Sequence, residues 1–288
     1  MNIIDLLPKY MAVTNPGGKP HTTRLHTLAI TRFGESLGKV PTVDDLTDEN
    51  LGLHAQKRLA DGKARDTVSG EQKKLLAQWK FYARRGYTKV WPECKPISRV
   101  NRIPKAWTQA EFDCLYRACE LSGPVDSTPG VVWWRCLLSC LFFTGERIGA
   151  MMQIEWSGCD LDAGWLELPA ELRKGGASDR QYRIPPETIK LLRKMPQKKR
   201  GPFDCEMCKA TLYHRFGRIL KAAGLPTDRR SKFHRIRRTT ASHFQAAGGN
   251  AQELLGHSSP AVTARYLDPK IIKQIQAVDL LFRPGEVG

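Results

Sequence analysis

Residues 233–269 read "FHRIRRTTASHFQAAGGNAQELLGHSSPAVTARYLDP" and gather four Arg and three His ahead of a single Tyr, Tyr266. Arginine and histidine are phosphate-binding groups, because a planar guanidinium grips two oxygens at once and an imidazole donates from its ring edge. A phenol among them has an ordinary pKa near 10, so it becomes a nucleophile only beside a base or concentrated positive charge. This combination is the signature from which the rest of the chain is read.

The 288 residues hold 46 Lys plus Arg against 29 Asp plus Glu, a formal net charge of +17. Such an excess implies an anionic partner, with nucleic acid the first choice. Hydrophobic content of 41% is ordinary for a globular chain that buries its core without disulfides or metal. Membrane insertion is excluded as a reading: the apolar run "VVWWRCLLSCLFF" (131–143) has only 13 residues and includes Arg135. The start "MNIIDLLPKY" has no signal-peptide pattern, so the eight cysteines are expected as reduced thiols in a cytoplasmic compartment. Cys205 and Cys208 form a C-x-x-C with His214 six residues on, but no second pair completes a four-ligand zinc set, and no metal is expected.

Periodicity places helices at 21–38, with Leu25, Leu28, Ile30 and Phe33 as its apolar face, at 46–62 behind a capping Thr47 or Asp48, and at 67–86, with Leu75, Leu76, Trp79 and Tyr82. "VWPECKPISRVNRIPKAW" (90–107) has three prolines and four basic residues and reads as an extended basic linker. The domains expected are therefore 1–92, helical; 93–105, linker; and 106–288, ending in a helix. The last opens on "TQAE", with Thr108 and Glu111 in capping-box spacing. A buried helix (131–143), a β-hairpin over 164–185 and further helices follow. On the helix that starts the quoted stretch, Phe233, Ile236 and Phe244 form the expected apolar stripe, leaving His234 and Arg237 on the flank. The fold class is mainly α with a small β-hairpin or sheet, an α+β chain.

"TGERIG" after the buried helix, "RKGG" in the hairpin, "HRIRRT", "LGHSS" and "TARY" occur in that order, with nine residues from His257 to Tyr266. In these motifs the chain resembles the tyrosine recombinase (phage integrase) family across the whole second domain, and its helical first part is similar to that family's core-DNA-binding domain. The resemblance implies that Arg147 and Arg237 clamp the scissile phosphate, His234 orients it or acts as base, and His257 donates to it. It further implies that Lys174 protonates the leaving 5′-hydroxyl and that Tyr266 is the nucleophile, forming a 3′-phosphotyrosyl link. Such a link conserves bond energy, so neither cofactor nor metal is needed, and no G-x-x-x-x-G-K-[ST] phosphate loop is present.

The partners implied are double-stranded DNA and a homo-tetramer on two duplexes, with Arg173, Arg229, Arg230, Lys232, Arg235 and Arg238 as further DNA contacts. The segment with Ile271, Ile272, Ile275, Val278 and Leu281 is an amphipathic helix that docks on its own domain or a neighbour. One departure stands out. The family usually carries an acid three positions after the first arginine, where this chain has Ala150; Glu146 lies one position before Arg147 instead. A type IB topoisomerase uses the same chemistry on one duplex, and a non-catalytic DNA-binding regulator on this fold is the other alternative.

Overall fold

The computed structural model describes residues 1–173, 178–197 and 199–273. The chain divides into two compact units, Met1–Arg102 and Ile103–Gly288. In the first, four helices pack together: α1 (Ile3–Thr14), α2 (Pro20–Leu37), α3 (Asp48–Ala60) and α4 (Arg65–Arg84). Helix α1 buries Ile3, Leu6, Leu7, Tyr10 and Met11, a 3–4 spacing that marks one helical face. Thr47 caps α3, its Oγ1 accepting from the Asn50 amide at 3.2 Å.

Half of the expected apolar face of α2 is present: Ile30 and Phe33 face inward, but Leu25 and Leu28 are exposed and His26 and Ala29 are buried instead. The reason lies across the interface, where Gln78 of α4 meets His26 Nδ1 at 3.2 Å and removes the penalty of burying an imidazole. A charged group is buried here as well. Arg58 grips Glu71 through two bonds of 3.0 and 2.9 Å, and His54 lies between Glu71 and Ser36.

The second unit opens with α5 (Gln109–Ala118), whose capping box is formed by Thr108 and Glu111. Helix α6 (Gly130–Thr144) runs through the core, burying Trp133, Trp134, Leu137, Leu138 and Leu141. A short helix α7 (Ile148–Met151) leads to a three-stranded antiparallel sheet of β1 (Cys159–Asp160), β2 (Trp165–Leu168) and β3 (Arg180–Arg183). Leu166 pairs with Tyr182 and both face inward, so the expected hairpin is present with one additional short strand. Then follow α8 (Pro186–Leu192), α9 (Lys209–Ala222), α10 (Phe233–Ala246), α11 (Ala251–Leu255) and α12 (Pro260–Thr263). Ile271 and Ile272 lie in a turn on Asp268, and the remainder of the expected C-terminal helix lies outside the described residues.

Aromatic stacking fixes where α10 begins. Phe216 of α9 stacks on Phe233 at 4.2 Å and on Trp134 of α6 at 6.0 Å between ring centroids. Phe244, expected in the same stripe, is exposed, whereas Arg237 is only 1% exposed. The buried face of α10 thus runs through Phe233, Ile236, Arg237 and Thr240. Among the described residues no helix is long and apolar enough to cross a membrane. Replacing Phe216 with Ala should cost about 3–5 kcal/mol in urea unfolding, since it empties the slot between two rings.

Candidate active site

Most of the candidate side chains sit at helix ends or in turns, and Arg237 projects from the second turn of α10. Gly145 closes α6 with φ +63°, a left-handed conformation in which a Cβ would lie 3.2 Å from Leu255 and 3.3 Å from Thr240. That turn points the Gly145 carbonyl at α10 and leaves Arg147 as the residue that starts α7. From α10, Arg237 Nη1 donates to Gly145 O at 2.6 Å and Nη2 donates to Leu255 O at 2.9 Å. Both acceptors are helix-terminal carbonyls, which have no partner inside their own helices. Arg237 Nε is buried without a hydrogen-bond partner, a donor whose desolvation an arriving anion would offset.

Arg147, His234 and Arg237 line one cleft of about 360 Å³, together with Glu146, Tyr213 and Phe233. Tyr266, in the turn after α12, borders the same group. Its ring centroid lies 5.1 Å from that of His234 and 4.8 Å from that of His257, and the Arg237 guanidinium stands 5.6 Å from it. Ser242 of α10 donates to Tyr266 O at 3.2 Å and accepts from the Asp268 amide at 2.9 Å, while Asp268 accepts from the Ala106 amide at 2.8 Å. The tyrosine segment is therefore tied on both sides of its phenol. His257 follows Gly256, and its Nε2 faces Arg237 Nη2 at 3.4 Å while Nδ1 meets Thr263 Oγ1 at 3.1 Å. A guanidinium can only donate, so Nε2 is the bare nitrogen and Nδ1 carries the hydrogen.

Glu146, noted in the chain beside Arg147 but given no role there, is 2% exposed. Its Oε1 accepts from Arg173 Nε at 2.6 Å and from Tyr182 OH at 2.8 Å, and its Oε2 accepts from the Arg147 amide at 3.2 Å. Arg237 Nη1 stands 3.7 Å from the same Oε2. Burial acts to push this carboxyl up, but the bonds from Arg173 and Tyr182, with the charges of Arg237 and Arg173, hold it below the usual range. The only signal in the chain was an acid inside "TGERIG" combined with a missing acid at Ala150.

Two of the arginines expected as DNA contacts are buried. Arg173 is buried against Glu146, and Arg235 is buried with its Nη2 on Ala106 O and its guanidinium over the Trp107 ring at 5.2 Å. Each finds a fixed partner for its charge or its plane. Arg229 and Arg230 are exposed; Lys232 and Arg238 are half-buried and bond to backbone carbonyls of Tyr213 and of Lys105 and Arg230. Lys174 lies outside the described residues.

The family model described as "Phage integrase family" matches residues 107–271, more than half of the chain. The chain belongs to the phage integrase family. No curated protein matches it by sequence. Among solved structures it is similar to a lambda integrase tetramer bound to a Holliday junction (18% identity, TM-score 0.69, covering 95% of this chain and 78% of that one). A lambda integrase dimer bound to a COC' core site gives 20% identity and a TM-score of 0.68, covering 93% and 96%. The Tn1549 transposon integrase in complex with circular intermediate DNA gives 16% and 0.69, covering 93% and 95%. At these identities the likenesses establish the fold.

Within that fold the two imidazoles are kept neutral. Desolvation, then the charges of Arg238, Arg237 and Arg147, push His234 down to about 4, although the residue as a whole is exposed. Desolvation, then Arg237 and Arg147, bring His257 to about 4. With folded values near 4 and ordinary values of 6.5, the unfolded chain binds more protons between those limits. Stability from these rings is complete above 6.5 and is lost as pH falls toward 4. His26, also lowered to about 4 in the first unit, acts in the same direction. The double variant His234→Gln/His257→Gln should therefore lose less Tm than the parent between pH 7.5 and 5, while retaining the part of the slope that His26 contributes.

Proposed function

We propose that this integrase-family chain is a site-specific DNA recombinase that cuts and rejoins strands through a covalent phosphotyrosine. The observation that supports this best is the placement of the Tyr266 ring against His234, His257 and Arg237 of its own chain. In this reading the scissile phosphate enters the cleft, and its non-bridging oxygens take Arg147 and the unpartnered Nε of Arg237. Guanidiniums already placed at the cleft stabilise the pentacoordinate centre, worth about 3–4 kcal/mol for each donor.

The phenol oxygen of Tyr266 bonds to phosphorus, and its proton passes to neutral His234. The P–O5′ bond breaks, and Lys174 returns a proton to the departing oxygen, the role its resemblance to the family's hairpin lysine implies. The 5′-hydroxyl of a partner strand reverses these steps, so the phosphodiester is restored with no external energy. His257 becomes a donor once the phosphate charge offsets the cations that keep it neutral.

Duplex DNA and a tetramer on two duplexes are the partners we propose, in keeping with solved integrases caught on DNA and, for lambda integrase, as a tetramer on a Holliday junction. The first unit and the exposed Arg229 and Arg230 would hold the duplex. Ala150 favoured a non-catalytic regulator, but the buried carboxylate of Glu146 supports the clamp from another position.

On a nicked suicide duplex carrying a site selected by this protein from random DNA, the parent chain should form a covalent adduct and Tyr266→Phe none. An adduct from the phenylalanine variant would assign the nucleophile elsewhere. Arg147→Ala and Arg237→Ala should each slow the adduct about 100- to 1,000-fold. Joined products from two duplexes, rather than relaxation of one, separate recombinase from topoisomerase. Arg229→Ala and Arg230→Ala should each reduce the magnitude of the log-affinity versus log-salt slope by about 0.9 if the residue neutralises one phosphate.

A further inference from the structure

Glu146 is bonded to more of the cage than any one step of the proposed reaction requires. Beyond the Arg147 amide and Arg237, it reaches the loop that carries His257 through Arg173. A Cβ on Gly256 would lie 2.9 Å from Arg173 Nη2, so this guanidinium is packed directly on the residue before His257. Arg173 also donates to Ser178 O at 3.1 Å on the far side of the hairpin. A single carboxylate thus touches, directly or through one guanidinium, the turn after α6, the helix α10, the His257 loop and the hairpin.

One acid leaves the cations of this site in surplus. Arg147, Arg173 and Arg237 carry three permanent charges, and among the described residues Glu146 is the carboxylate paired with Arg173 and Arg237. The surplus stays positive for an incoming phosphate, and Ala150, buried at 2%, brings no second anion to the cleft. Glu146 is 2% exposed and is held at the wall of the cleft by Arg173, Tyr182 and the Arg147 amide.

We infer that Glu146 is the positioning residue of this active site: from its place before Arg147 it sets the geometry of both clamping arginines and of the His257 loop. The inference rests on the proposed strand-cleavage function. It assigns no contact with DNA to Glu146 and no proton transfer.

The test uses the full chain and the same selected nicked duplex. Glu146→Gln, which keeps the shape and removes the charge, should lower the single-turnover rate of adduct formation by about 100-fold. Duplex affinity, set by phosphate contacts elsewhere, should stay within about threefold. A residue that merely supported the fold would not divide binding from chemistry in this way. Because an unpaired Arg173 threatens folding, Glu146→Gln/Arg173→Gln removes both partners together, and it should remain as slow. Recovery of the parent rate in that double variant would show that Glu146 only neutralises Arg173 and would overturn the inference. So would a single variant within about threefold of the parent rate, or failure of both variants to fold, which would assign the carboxylate to the fold. A parent chain that forms no adduct would instead remove the proposed function itself, and the inference with it.

Discussion

A permanent cation buried in protein is the constraint around which the second unit is organised. Removing a guanidinium from water costs several kcal/mol even after relaxation, unless its donors find partners. Arg237 meets that demand with Gly145 O from the end of α6, Leu255 O from the end of α11 and the nearby carboxylate of Glu146. Helix ends leave carbonyls unpaired and carry partial negative charge, so they suit a buried cation well. Satisfying this one side chain brings positions 145, 146, 237 and 255 together, and the cleft forms around them.

The same arrangement sets the protonation of the site. Desolvation and then the cations around the cleft keep His234 and His257 neutral, and a neutral imidazole is the form that can accept a proton from a phenol. Glu146 keeps the group from being so cationic that it repels itself, yet leaves a net positive field. Tyr266 is held by Ser242 and Asp268 through its backbone, so its ring has a defined place without a hydrogen bond committed from its hydroxyl among the described residues.

Much of this was legible in the chain because the signals were local. The capping box at Thr108, the apolar helix α6 and the inward alternation of Leu166 and Leu168 depend on neighbours a few residues away. The candidate site residues Arg147, His234, Arg237, His257 and Tyr266 stood out in the same way, as short motifs in a recognisable order. Errors arose where two sequence-distant groups decide the outcome. Leu25 and Leu28 looked like the face of α2, yet Gln78 allows His26 to be buried in their place. Phe244 looked like core and Arg237 like flank, and carbonyls from residues 145 and 255 reversed them.

Sequence alone determined the helical periods, the excess positive charge, the family resemblance and the residue types available for phosphate chemistry. Which cations are exposed, which are buried and which carboxylate meets them were decided only by the tertiary structure. The physical reason is that Arg173, Arg235 and Arg237 are chemically identical along the chain. A guanidinium becomes buried or exposed only when folding brings an anion, a carbonyl or an aromatic face to meet it, and those partners lie 27, 129 and 92 residues away for Glu146, Ala106 and Gly145.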